Sequence, residues 1–148
     1  MNATRILPDL QSSLPCEDVR REVTGHFIIL GVINYIHVQQ VPVIAPRLCI
    51  FNRWTAGVGQ FIESVRLVAP DQTTVLRKHE MKFDLPGVNR NTSNLTMFGQ
   101  VEFKVPGVYF IEVCVDDVLK IRYPLVVKLL APPPTEGQPE PESVPVPE

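Results

Sequence analysis

Six side chains carry the thiols and imidazoles that most often do chemistry: Cys16, Cys49, Cys114, His26, His37 and His79. A zinc centre needs three or four such ligands, usually at close local spacing, and no two of these residues stand at one. A distant pair, such as Cys16 with His26 or His79, could meet in space as nucleophile and base, but no local motif supports any of the pairings. Asp116-Asp117 could offer oxygen to a hard cation, although a tight turn already accounts for two adjacent aspartates. There is no Gly-x-Ser-x-Gly elbow and no Gly-rich loop ending in Lys-Ser or Lys-Thr. Gly57-Val58-Gly59 lacks the third glycine and the following helix of a dinucleotide site. The expectation is a protein with no cofactor, no metal and no catalytic constellation.

The elements that would have to position any site are strands. Leu95, Met97, Gly99, Val101, Phe103 and Val105 alternate with Thr96, Phe98, Gln100, Glu102 and Lys104, the period of a strand with one buried face. Pro106-Gly107 suits the centre of a type II turn. Val108–Val115 is expected to return antiparallel, and Asp116-Asp117 then leads to the alternation of Leu119, Ile121, Tyr123 and Leu125, giving a three-stranded meander. Arg47–Thr55 and Gln60–Ala69 read as a bulged hairpin through Ala56–Gly59, and Thr74 to about Phe83 pairs back after Pro70–Thr73. An apolar run from His26 to about Val38 and a strand from about Asp9 to Cys16 come first. No segment of ten residues carries a capped 3.6-residue apolar period. Eight short strands with regular turns imply an all-β antiparallel sandwich, with a partly open barrel as the alternative.

Strands that run strictly up and down place every second connection at one pole. That parity gathers Glu17–Gly25, Thr55–Gly59, Asp84–Ser93 and Asp116-Asp117 together, and leaves a nearly uncharged, proline-rich opposite pole. Loops at one end of a rigid sandwich commonly carry recognition, and Arg and Trp are favoured interface anchors. Arg20, Arg21, Arg53, Trp54 and Asn91 are therefore the candidate binding residues, for a partner protein or an acidic ligand. The reading that competes is that charged loops are ordinary for a soluble sandwich and that Trp54 caps the core. A second functional reading is self-association, suggested by Phe98 on the expected solvent face of its strand and by Phe110 beside Glu112.

Charge divides the chain. Residues 131–148 hold seven prolines, four glutamates and no lysine or arginine, the composition of a disordered tail, with residues 9–130 as the folded domain and 1–8 as a flexible lead. Without those four glutamates the body carries 14 basic and 12 acidic residues. The basic residues are scattered singly or in pairs, which is not the footprint of a nucleic-acid binder. The tail is expected to act as a solubilising spacer, with docking as a polyproline II segment the other possibility. No apolar run is long enough to cross a bilayer, and Met1–Pro15 lacks a basic start followed by an apolar stretch. Cytoplasmic residence, reduced buried cysteines and no membrane contact are the expectation, so the sequons at Asn2, Asn91 and Asn94 carry no weight.

Several of these segments also resemble a known family. Cys16-Glu17-Asp18-Val19-Arg20-Arg21-Glu22, Gly25-His26-Phe27 to Gly31-Val32, Pro46-Arg47-Leu48-Cys49 to Arg53-Trp54, and Gly107-Val108-Tyr109 with Val115-Asp116-Asp117 are similar to an uncharacterised family of small bacterial proteins, over about Pro8 to Val127. The resemblance implies an immunoglobulin-like sandwich of cytoplasmic origin with no known catalytic residues and no assigned activity.

Overall fold

The computed structural model describes residues 4–130. Nine strands follow in order: β1 (Asp9–Arg21), β2 (Phe27–Val32), β3 (Tyr35–Val38), β4 (Val43–Thr55), β5 (Gly59–Val68), β6 (Val75–Leu85), β7 (Asn91–Phe103), β8 (Gly107–Val115) and β9 (Val118–Leu129). They form a four-stranded sheet, β2-β1-β4-β7, and a five-stranded sheet, β3-β9-β8-β5-β6. The expected tail, Ala131–Glu148, lies outside the described residues.

The fold is all-β, as the periodicity requires, but the connectivity differs from the sequence reading in four places. The apolar run His26–Val38 is two strands in different sheets, broken at Ile33-Asn34, so there are nine strands and not eight. β3 runs parallel to β9, with Tyr35 opposite Val126, whereas all pairs were expected to be antiparallel. β4 and β5 are not a hairpin, because Ala56–Val58 carries the chain from one sheet to the other. Lys104–Pro106 does the same between β7 and β8, so the expected meander loses its first strand. Periodicity reports which residues are buried on a face. It does not report which sheet buries them, and that is where these expectations failed.

The core between the sheets is built from Leu48, Ile50 and Trp54 of β4, Phe61, Val65 and Leu67 of β5, Phe98, Val101 and Phe103 of β7, and Tyr109, Ile111 and Val113 of β8. The inward phase changes within β4 and β7 while their pairing register stays constant from Val43↔Phe103 to Thr55↔Asn91. Val43 and Ala45 face the core before Pro46, and the even-numbered Leu48 and Ile50 face it afterwards. Gln100 adopts φ of 53° on the other strand, and the two strands turn over together at this rung. Phe98 is thus only 3% exposed and Met97 58%, reversing the assignment that alternation gave them. Arg77 of β6 closes the corner, donating from Nη1 to the Gly99 carbonyl at 2.8 Å and lying 5.5 Å from the Phe98 ring centre.

Polar links join the sheets inside this core. Trp54 Nε1 and Asn94 Nδ2 both donate to Oε2 of Glu63, which is 1% exposed. Burial of a carboxyl group is tolerable only with such donors. The Tyr109 hydroxyl donates to the Val105 carbonyl at 2.6 Å, pinning the start of β8 to the end of the preceding crossover. Just before β1, Ile6 and Val58 exchange both backbone hydrogen bonds at 2.9 Å.

Candidate recognition cleft

β1 serves two partners. Its first half pairs with β4 as far as Cys16↔Cys49, and its second half pairs only with β2, ending at Arg21↔Phe27. On β4 the residue opposite Leu14 is Phe51. A straight strand would put the Arg21–Phe27 rung seven residues beyond that one, roughly 23 Å away. Instead the rings of Phe27 and Phe51 meet edge to face with centres 5.3 Å apart. The β1–β2 hairpin therefore folds back over the outer face of β4.

The chain makes this possible at Gly31. It has φ of 68°, a left-handed value that a side chain would strain, and it sits across from Glu17 at the rung between Cys16↔Val32 and Asp18↔Leu30. Below the bend, the Arg47 Nε donates to the Glu17 carbonyl at 3.1 Å and its guanidinium lies 3.6 Å from Asp18. Cys16 and Cys49 are directly opposed and fully covered there. Burial first, then the neighbouring Cys49 and Asp18, push the Cys16 thiol up to about 11. Both cysteines are buried side chains beneath the hairpin and poor nucleophiles. At the tip, Gly25 (φ of 94°) closes the turn by donating its N–H to the Glu22 carbonyl at 2.8 Å.

Between the tip and the start of β7 lies an open cleft of about 870 Å³. Its floor is Phe27, Ile29 and Phe51, and its polar walls are Arg21 and His26 on the hairpin, Arg53 on β4, Asn89 and Arg90 on the β6–β7 connection, and Asn91, Thr92 and Ser93 at the start of β7. Arg21 lies over the Phe27 ring, 5.3 Å from its centre. Arg53 donates from Nε to Gln11 Oε1 at 2.6 Å. With its amide turned to suit its neighbours, Asn91 donates to Thr55 Oγ1 at 2.6 Å and accepts from Arg53 Nη2 at 3.0 Å. None of the lining residues is acidic, and Arg21, Arg53 and Arg90 form no ion pair among the described residues. By contrast, Arg5, Arg20, Arg47, Arg66 and Arg122 each face a carboxylate.

Of the five candidate residues, the structure brings Arg21, Arg53 and Asn91 into this cleft. It does so by a route the parity reasoning did not contain. The extra strand β3 reverses the parity, so strand direction alone sends the β1–β2 turn to the opposite pole, and only the fold-back returns it. Trp54 is completely buried, its indole spent on Glu63 and stacked on Phe83 at 5.4 Å, so it cannot reach a surface partner. Arg20 does not line the cleft; it points outward and lies 3.6 Å from Asp18. His26 and Phe27 joined the site unannounced, because an apolar run gives no sign that its first residues will become a lid. A second hollow of about 600 Å³ is lined by Phe61, Lys82, Phe83, the acidic Asp84 and Asp116, and Arg5, which lies over Phe61 and pairs with Asp116. No group of three or more His, Cys, Asp and Glu side chains is arranged to hold a metal ion among the described residues.

A family model matches residues 11–128, from within β1 to within β9, and includes every residue of the cleft. The chain belongs to a family of unknown function, DUF6941. No curated protein matches it. The matched segment includes the β1–β2 hairpin and stops short of the proline- and glutamate-rich residues 131–148.

Proposed function

We propose that this protein is a non-catalytic binding module of the cytoplasm that recognises an acidic segment of a partner protein through the hairpin cleft. One observation carries the proposal: three arginines that pair with no carboxylate among the described residues line a single concave surface that has no acidic residue. Three guanidinium groups lining one concave surface give it a positive potential, which carboxylates presented by a ligand complement. The planar fork of donors on each guanidinium matches a carboxylate in two parallel hydrogen bonds. Asn89, Thr92 and Ser93 add neutral hydrogen-bonding groups for a peptide backbone, and Phe27, Ile29 and Phe51 supply apolar contact.

The scaffold reading that goes with this is an immunoglobulin-like sandwich. The Tyr109–Val105 hydrogen bond at the entry to a central strand supports it, since a tyrosine tying a corner in this way is a hallmark of that architecture. Self-association is the second reading; of the two aromatics that suggested it, Phe98 is buried, and Phe110 is half-buried with the Arg122 guanidinium 4.2 Å from its ring centre.

The test is a titration of the isotope-labelled full chain with a hexaglutamate peptide, followed by amide chemical shifts. Shifts confined to Gly25–Phe27 and Asn89–Ser93, and abolished in an Arg21→Ser, Arg53→Ser double variant, are expected. Shifts spread over the lysines of β6 and β9, unaffected by those substitutions, would defeat the proposal.

A further inference from the structure

The cleft has a candidate occupant within its own chain. We infer that the glutamates of residues 131–148 dock in the cleft of the same molecule, so that the tail is a built-in competitor for the acidic partner. This rests on the reading of the cleft as a site for acidic protein segments.

Charge complementarity is the first support. The tail's only charged side chains are Glu136, Glu140, Glu142 and Glu148. The cleft's are Arg21, Arg53 and Arg90. Reach is the second. The described chain ends at Leu130, whose N–H donates to the Val38 carbonyl at 2.8 Å, at the pole opposite Thr55 and Asn91. The distance to be covered is close to the length of β4, whose 13 residues span roughly 43 Å. Glu140 and Glu142 follow Leu130 by 10 and 12 residues, enough for roughly 33 to 43 Å of extended chain, and Glu148 can reach roughly 60 Å. Glu142 thus comes within range of the cleft only when the tail is fully extended, whereas Glu148 reaches it with length to spare, and the tether keeps it near the site. Seven prolines reduce the conformational freedom lost on docking.

Two measurements on the full chain decide the matter. A nitroxide placed at Val144→Cys reports where the tail spends its time, since the native Cys16, Cys49 and Cys114 are buried and do not take the label. Broadening of the Gly25–Phe27 and Asn89–Ser93 amides is expected, relieved by about 0.5 M salt. It should be absent when labelled and isotope-enriched chains are separate molecules in one sample. The second measurement compares hexaglutamate affinity in wild type and in the Glu136→Gln, Glu140→Gln, Glu142→Gln, Glu148→Gln variant, where release of the competitor should strengthen binding by about three- to tenfold. Equal affinity without broadening would overturn the tail proposal and leave the cleft reading standing. Broadening only between molecules would overturn the intramolecular claim. Failure of hexaglutamate to bind either protein would overturn the cleft reading itself.

Discussion

Replacing Trp54 with phenylalanine separates a structural tryptophan from a binding one. The indole is completely buried, and its N–H is one of two donors to Glu63 Oε2. Phenylalanine keeps the stack on Phe83 but removes the donor, leaving the interior carboxyl group with Asn94 alone. A hydrogen bond lost to a buried acceptor costs roughly 1–3 kcal/mol. The space a smaller ring leaves adds roughly 1 kcal/mol. Together the substitution should cost about 3 kcal/mol, which for a domain of this size lowers Tm by about 10 °C. Differential scanning calorimetry reads this directly, and hexaglutamate binding measured well below the transition should be unchanged. Glu63→Leu alone would leave the buried indole N–H without an acceptor, a cost absent when Trp54 is already phenylalanine, so the double variant should be more stable than the sum of the single effects by at least about 1 kcal/mol. A Tm within about 2 °C of wild type in Trp54→Phe, with binding lost instead, would refute the assignment of Trp54 to the core.

Gly31→Ala forces a side chain into a left-handed conformation at the hairpin's bend, which should cost about 1–2 kcal/mol in urea unfolding and weaken hexaglutamate binding as the tip loosens; an unchanged midpoint would remove Gly31 from its hinge role. The Asp71 carboxylate accepts the Thr74 hydroxyl and the backbone N–H groups of Thr74 and Thr73, which bring it down to about 2 from 3.8. Its contribution to the β5–β6 turn is therefore complete above about pH 4 and is lost as acid takes the pH through about 2, and a carboxyl carbon titration with a midpoint near 3.8 would contradict it. Finally, a thiol reagent at pH 8 should label none of Cys16, Cys49 and Cys114 in the native chain and all three in urea, because all are buried and burial holds the Cys16 and Cys49 thiols in their protonated form. Rapid native labelling of Cys16 or Cys49 would mean that the hairpin does not cover them.

What the residues disclosed, and what they concealed, have distinct physical causes. Strand positions were legible because alternation and turn residues are local: Pro70–Thr73 and Asp116-Asp117 close hairpins as their residue types require. Sheet membership was not, since Ala56–Val58 and Lys104–Pro106 read like turns whether the chain doubles back in one sheet or crosses to the other. The face of Phe98 was misassigned because a backbone reversal at Gln100 leaves no mark in a hydrophobic pattern, glutamine being an ordinary residue there. Arg21, Arg53 and Asn91 were found as a group, but the signal was chemical type and not parity. The bend that unites them depends on Gly31, one glycine within an apolar run, and nothing nearby in sequence announces that Phe27 will lie on Phe51.

The central claim is that the folded-back hairpin creates an arginine-lined site for carboxylates, and the affinity of hexaglutamate as a function of salt tests it most directly. Wild type and an Arg21→Ser, Arg53→Ser, Arg90→Ser variant should be compared by calorimetry from low to physiological ionic strength. The expected result is binding that weakens steadily with salt in wild type and is at least tenfold weaker in the variant at low salt, with Tm altered by no more than about 3 °C. Affinity equal in the two proteins would place the carboxylate site elsewhere and contradict the account.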